Sequence, residues 1–364
     1  PHHPNGGDFY CILVDMKKLV SILISVIVFY LFFIVFVKST NFKGDKVYVE
    51  YQNEGLSQFA DSLVAKKIIF EKTSFLFFAT ILKVEEKIKP GKFLVKRKTS
   101  VLDLIRMFRN NQQATVKLVL NKVRTKGELA KLIAKAFDKD SAAVVAYLSS
   151  NDSLQAFDTD TTQLFTLLIP NTYEYYWSSS MTQILSKLQK AQTYFWSQNN
   201  RIQKAVSKGM SQNQIYTLAS IVEEETNFDS DKSLIASVYQ NRLNKQMPLQ
   251  ACPTIKYAMQ DFTITRIYEK YLSNASPYNT YRIKGLPPGP ICTPAGKTID
   301  LVLDAPKTDY IYFVAKADFS GYHHFSNNYA EHDRYAKEYQ KKLDAYQAKK
   351  AMEHSRDKNN QVVK

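Results

Sequence analysis

Nineteen consecutive residues without a charge, Leu19 to Val37 (LVSILISVIVFYLFFIVFV), constrain this chain more than any other feature. At about 1.5 Å of rise per residue, a helix of that length nearly crosses a hydrocarbon core of roughly 30 Å. A buried core helix rarely lacks polar residues on every face. A cleaved signal peptide wants small residues after its apolar run, and this one ends in bulky FFIVFVKST. The segment therefore reads as an uncleaved anchor. Lys17 and Lys18 ahead of it place the N-terminus in the cytoplasm and the bulk of the chain outside, although Lys38, Lys43 and Lys46 weaken that asymmetry. Residues 1–15 precede Met16 and are read as an extension outside the fold, His2 and His3 included.

The remaining length suits two domains, and 22 Phe with 23 Tyr supply ample material for their cores. The formal charge of +15 admits nucleic acid, an anionic membrane surface or an acidic polymer as partner. The lysines and arginines are dispersed, and a chain outside the cytoplasm does not meet nucleic acid. Cys11, Cys252 and Cys292 make neither a disulfide framework nor a metal signature, and Cys252 and Cys292 read as small, partly buried residues. His323, His324 and His332 match no zinc spacing.

Periodicity then divides the chain. KVYVEY (Lys46 to Tyr51) alternates like a strand. Leu56, Phe59, Ala60 and Leu63 have helical spacing, and Thr73 to Val84 is a second helical stretch. A turn, a strand and a Ser100 N-cap follow, then the helix VLDLIRMFRN and the strand ATVKLVL. This is a small α+β module. RTKGELAKLIAKAF opens another helix. A long helix is predicted from Met181 to a stop at Gly209, and Ser211 can cap the next one. SLIASVYQNRL is a further helix, SPYNTYRIKGLPPGPICTPAG a Pro- and Gly-rich region, DYIYFVAKA a strand, and the C-terminus a charged helix.

Three adjacent carboxylates in LASIVEEET (Leu218 to Thr226) end an otherwise apolar helix. At about 100° per residue, Ile215, Leu218, Ala219, Val222 and Thr226 form one stripe. Glu224 falls opposite it and is expected to face water. Glu223 and Glu225 fall on its two edges, Glu223 over Tyr216, Ala219 and Ser220, Glu225 beside Ile221 and Leu218. A carboxyl held against apolar surface ionises less readily and donates a proton better near neutral pH. Phase alone leans only weakly to Glu225, because glutamates near a helix end are usually solvated or paired with Lys or Arg. The nearby tyrosines, Asn amide and rigid loops suit a carbohydrate, though each has an ordinary structural reading as well.

LASIVEEET, SVYQNRL, MPLQACPTIKYA, SPYNTYRIKGLPPGPICTP, DYIYFVA and HHFSNNYAEH stand in the order and near spacing of the MltG (YceG-like) family. The chain resembles these endolytic murein transglycosylases over about residues 16 to 340. It departs from their pattern at Asn171 and Cys252, where the family usually has Asp, and at NKVRT, where an EG turn is frequent.

The resemblance implies an α+β chain with an N-terminal transmembrane helix. Its parts are a cytoplasmic start and anchor at 16–40, a LysM-like module at 44–121, a mixed α/β catalytic domain at 122–340 and a charged helical tail at 341–364. It implies cleavage of the MurNAc-β-1,4-GlcNAc bond without water, leaving a 1,6-anhydro-MurNAc end and terminating strand elongation, with no cofactor or metal. Glu225 is then the catalytic acid and base, and Glu223 supports it. Gln250, Tyr278, Asn279 and Tyr281 line the cleft, Asn241 and Arg242 brace it, and Thr254 and His323 support or orient; Arg242 is expected to pair with Glu223. The implied partners are glycan strands, the inner membrane and peptidoglycan synthases. One rival reading is a non-catalytic glycan-binding scaffold. The other is a hydrolytic muramidase with Asp229 or Asp231, both expected on a loop, as its second carboxylate.

Overall fold

The computed structural model describes residues 16–26, 28–29, 40, 42–264 and 266–362, with side chains to residue 348. Residues 16–26 and 28–29 are helical with exposed apolar side chains. The rest of the predicted anchor lies outside the described residues. Among those that are described, no helix is long and apolar enough to cross a membrane.

The chain divides into two compact units, one running to Val116 with Glu174–Ser179, the other Lys117–Tyr173 with Ser180 onward. The first keeps the predicted strand–helix–helix–strand order. Strand β1 (Lys46–Tyr51) pairs antiparallel with β2 (Gly91–Lys96), Lys46 opposite Lys96 and Tyr51 opposite Gly91. Helices α1 (Leu56–Ala65), α2 (Lys72–Ile81) and α3 (Val101–Arg109) supply the rest of the core, and Ser100 caps α3 by accepting from the Asp103 amide. Phe108 is fully buried at its centre. Its ring meets Phe59 and Phe93 edge-on at 5.0 and 5.1 Å, the arrangement favoured by ring quadrupoles. Strand β3 (Thr115–Leu120) pairs with β4 (Asn171–Tyr176).

Helices dominate the second unit. They are α4 (Lys126–Phe137), α5 (Ser141–Leu148), α6 (Met181–Ser197), α7 (Arg201–Ser207), α8 (Gln212–Glu225), α9 (Asp229–Asn244), α10 (Cys252–Met259) and α11 (Gly296–Leu303). An antiparallel hairpin, β5 (Tyr312–Ala315) with β6 (His323–Ser326), packs against the long terminal helix α12 (Tyr329–Val362). Helix α8 is the hub, packed on α9, α10 and α11, with Ile215, Tyr216, Leu218, Ile221 and Val222 fully buried.

The predicted helix from Met181 to Gly209 is broken. Asn199 and Asn200 are both left-handed, at φ 56° and 55°. Asparagine tolerates that region better than most residues. The break turns Arg201 inward, where its Nε and a terminal nitrogen donate to Asp300 at 2.7 and 2.9 Å and the other terminal nitrogen donates to the Phe195 carbonyl.

The Pro- and Gly-rich region is pinned to the unit by close backbone approach. A Cβ at Gly289 would sit 2.3 Å from the Thr162 carbonyl oxygen. Gly289→Ala is therefore expected to destabilise the protein by about 1–3 kcal/mol, since backbone must move to admit the methyl. Chemical denaturation measures this, and an unchanged midpoint would show that the loop yields freely.

Candidate active site

Helix α8 starts at a capping box. Ser211 Oγ accepts from the Gln214 amide at 3.2 Å, and Gln214 Oε1 accepts from the Ser211 amide at 2.8 Å. The helix stops where Thr226 turns extended, at φ −152°. All three glutamates therefore occupy its last turn, the negative end of the helix dipole, where a carboxylate is disfavoured without a partner.

Two of them have cationic partners. Glu223 Oε2 accepts from Lys232 Nζ at 2.9 Å and from the Thr298 hydroxyl, and Lys122 stands 3.7 Å away. Glu224 is not turned to water, as helical phase predicts. Its side chain is only 15% exposed, and Arg124 clamps it through Nε at 3.1 Å and a terminal nitrogen at 3.0 Å. Lys122 adds an ion pair at 3.3 Å. Both bases come from the segment after β3, about a hundred residues earlier, so no local pattern announces them.

Glu225 has no ion pair among the described residues. Its Oε1 accepts instead from the Tyr239 hydroxyl at 2.5 Å. Burial is the main cause that pushes its carboxyl up to about 7, and the Glu224 charge adds to it. The Tyr239 hydrogen bond and the Lys256 ammonium oppose the rise. Tyr239 is 1% exposed, and burial followed by the Glu225 charge holds its phenol well above the usual range, so it stays a donor. Tyr281 is likewise raised by burial and its hydroxyl lies 3.2 Å from Cys252 Sγ. A small cavity of about 120 Å³ beside the site is lined by Arg124, Glu224, Pro253, Lys256, Phe262 and Ile291. The arrangement offers one carboxyl able to give and retake a proton near neutral pH, flanked by two carboxylates paired with cations.

The profile of the YceG-like family matches residues 47–338. This chain belongs to that family. A protein of Bacillus subtilis (strain 168) named endolytic murein transglycosylase is 36% identical over 172 residues, 47% of each chain. One of the same name from Streptococcus pneumoniae serotype 2 (strain D39 / NCTC 7466) is 33% identical over 209 residues, 56% of this chain and 37% of that protein. The alignments thus span less than half the length of these curated relatives. The crystal structure of a yceG-like protein from Listeria monocytogenes superposes with a TM-score of 0.53 at 26% identity, covering 80% of this chain and 98% of that one.

Within this YceG-like chain the other predicted site residues take distinct places. Arg242 does not pair with Glu223. It is 7% exposed, and it donates to the carbonyls of Ile311 (2.7 Å), Leu249 (2.9 Å) and Pro248 (3.2 Å) and to Gln250 Oε1 (3.2 Å). Asn241 Nδ2 donates to the Thr308 and Tyr310 carbonyls at 2.7 and 2.9 Å. The two thus tie α9 to the segment that leads into β5.

Gln250 is exposed and left-handed at φ 52°, its amide donating to the Thr280 carbonyl. Thr254 and Asn279 are fully buried. Thr254 Oγ1 meets Thr280 Oγ1 at 2.8 Å, and Asn279 donates to the Leu272 and Asn274 carbonyls. These contacts shape the YNTY loop from inside. Tyr278 is half-buried against Tyr257, with ring centroids 4.7 Å apart.

Asp231 lies in the first turn of α9 rather than on a loop. It is buried, and its Oδ2 is 2.9 Å from His323 Nδ1 and accepts from the His323 amide at 2.8 Å. Asp229 also lies in that turn and pairs with Lys297. Cys292 is buried as expected, whereas Cys252 is exposed.

Tyr239, Lys256, Lys232, Lys122 and Arg124 are the site residues that sequence reasoning passed over. Tyr239 alone left a signal, as the aromatic centre of SVYQNRL. Tyr239→Phe removes a hydrogen bond that favours the ionised carboxylate, so the carboxyl of Glu225 should rise further. The alkaline limb of the rate–pH profile, where the acid must still hold its proton, is expected to move to higher pH. An unmoved limb would show that Tyr239 does not tune Glu225.

Proposed function

We propose that this YceG-like chain is an endolytic peptidoglycan transglycosylase that cleaves the MurNAc-β-1,4-GlcNAc bond without water. One observation carries the reading: of three adjacent glutamates, Glu225 alone has a tyrosine hydroxyl in place of an ion pair, with its carboxyl pushed up to about 7. Protonated Glu225 donates to the departing glycosidic oxygen as the C1–O bond breaks. The carboxylate so formed takes the proton from the MurNAc C6 hydroxyl, whose oxygen bonds to C1 and closes the 1,6-anhydro ring. Proton and charge return to their starting state. Because the substrate supplies the nucleophile, one carboxyl serves where hydrolases need two at a set separation.

In the same reading the N-terminal apolar run anchors the chain in the cell membrane, inner where there are two. The catalytic unit stands on the periplasmic or extracellular face and ends nascent strands beside the synthases that extend them. The smaller unit is LysM-like. The names of the curated relatives support peptidoglycan as the substrate, and the uncharged run Leu19 to Val37 is what supports the anchor.

Digestion of uncrosslinked glycan strands, with mass analysis of the new ends, tests it. Anhydro-MurNAc ends are expected. Reducing MurNAc ends would make the protein a hydrolase, and intact strands would make it a scaffold.

A further inference from the structure

A large cleft of the second unit lies apart from Glu225. It encloses about 1140 Å³ and is walled by the N-terminal turn of α8, the C-terminal half of α9, the Lys284–Pro288 loop and Ala305–Thr308. That volume is at the upper end for small-molecule sites and suits an oligomer better than a single ion. Its charge is one-sided. Lys208, Lys284 and Lys307 line it, and no Asp or Glu does. Lys208 Nζ is held by Gln240 Oε1 at 2.9 Å; burial is the largest cause disfavouring its charged form, the Asp304 charge opposes it, and the nearby Lys307 charge adds a smaller push in the same direction as burial. Lys284 and Lys307 are exposed and make no ion pair among the described residues. Asp304, whose charge reaches Lys208, is paired with Lys204 at 2.7 Å. Ammonium groups lining a cleft without an acid are stabilised by an anion placed among them.

Amide side chains form part of the remaining wall, beside hydroxyl, proline and aliphatic residues. Asn213 and Asn244 are exposed there, each offering a donor and an acceptor together, and Gln214, whose Oε1 already accepts from the Ser211 amide, offers its amide donor. Paired donor and acceptor groups match the backbone of an extended peptide, and ammonium groups match carboxylates.

We infer that this cleft binds a short acidic peptide, its carboxylates held by Lys208, Lys284 and Lys307 and its backbone by the amide side chains. If the function proposed above holds, the peptide is one that hangs from the substrate glycan, so the cleft reads the side chains of the strand that Glu225 cuts. The binding itself does not rest on that reading.

The test uses the full chain carrying Glu225→Gln, so that no turnover intervenes and binding is read apart from cleavage. The probes are a synthetic tetrapeptide with two free carboxylates and its fully amidated counterpart, titrated calorimetrically. The acidic peptide is expected to bind at least tenfold more tightly than the amidated one, and more weakly as salt rises. A triple variant, Lys208→Gln with Lys284→Gln and Lys307→Gln, should lose at least tenfold in affinity while keeping its thermal midpoint. Lys284→Gln with Lys307→Gln, both exposed, gives the same answer should the triple variant misfold. Equal affinity for the two peptides, or unchanged affinity in the variants, overturns the proposal. So does lysine-dependent binding to inorganic phosphate or phosphatidylglycerol vesicles without binding to the acidic peptide.

Discussion

Glu225→Gln is expected to lower cleavage of glycan strands by at least about a thousandfold, because general acid and base contributions of about 10²–10⁴ each are lost with one group. The same substitution should also stabilise the fold at alkaline pH. Burial raises the carboxyl of Glu225 to about 7 from an ordinary value of 4.5. With the folded value above the unfolded one, the unfolded state loses its proton first as pH rises. Stability is then full below about 4.5, falls between about 4.5 and 7, and stays lowered above. The cost of holding this ionised group at neutral to alkaline pH is about 1–3 kcal/mol. Glutamine does not titrate, so the variant should unfold later than the parent at pH 8 and alongside it at pH 4. Thermal melts at both pH values check the sign. If the melts coincide at pH 8, Glu225 is not held in a desolvated place. If activity survives Glu225→Gln and is lost in Glu223→Gln, the shuttle has been assigned to the wrong carboxyl.

Arg242→Met is expected to cost about 4 kcal/mol of stability and to lower the thermal midpoint by about 10 °C. The arginine is 7% exposed and donates to three backbone carbonyls and to Gln250 Oε1. Methionine fills similar volume but donates nothing, so each carbonyl loses its partner, at about 1–3 kcal/mol for each that stays buried. Arg242→Lys should rescue little, because one ammonium cannot reach carbonyls that a planar fork spans. A shift of under 2 °C would mean that water replaces the guanidinium, and that α9 needs no brace against the segment before β5.

Local elements were legible where the cause is local. The alternation of KVYVEY, the Ser100 and Ser211 caps and the apolar stripe of α8 are short-range patterns, and the structure has strand, caps and buried stripe at those residues. The break at Asn199 and Asn200 was not legible. Its reward is the Arg201–Asp300 pair, which lies 99 positions away in sequence. Hairpin β5–β6 was only half legible, because His323–Ser326 carries two histidines and no clear alternation.

The site shows the same division. Sequence by itself determined that three carboxylates end one amphipathic helix, and that motif order and spacing resemble one family. Helical phase is a property of the backbone period, so it could set Glu223 and Glu225 on opposite flanks. Only the tertiary structure decided their partners. Arg124, Lys122 and Lys232 come to Glu224 and Glu223 from other segments, and Tyr239 comes to Glu225. A carboxyl's proton affinity depends on the solvent and charges within a few ångströms of it, and chain folding, rather than the neighbouring letters, determines what those are.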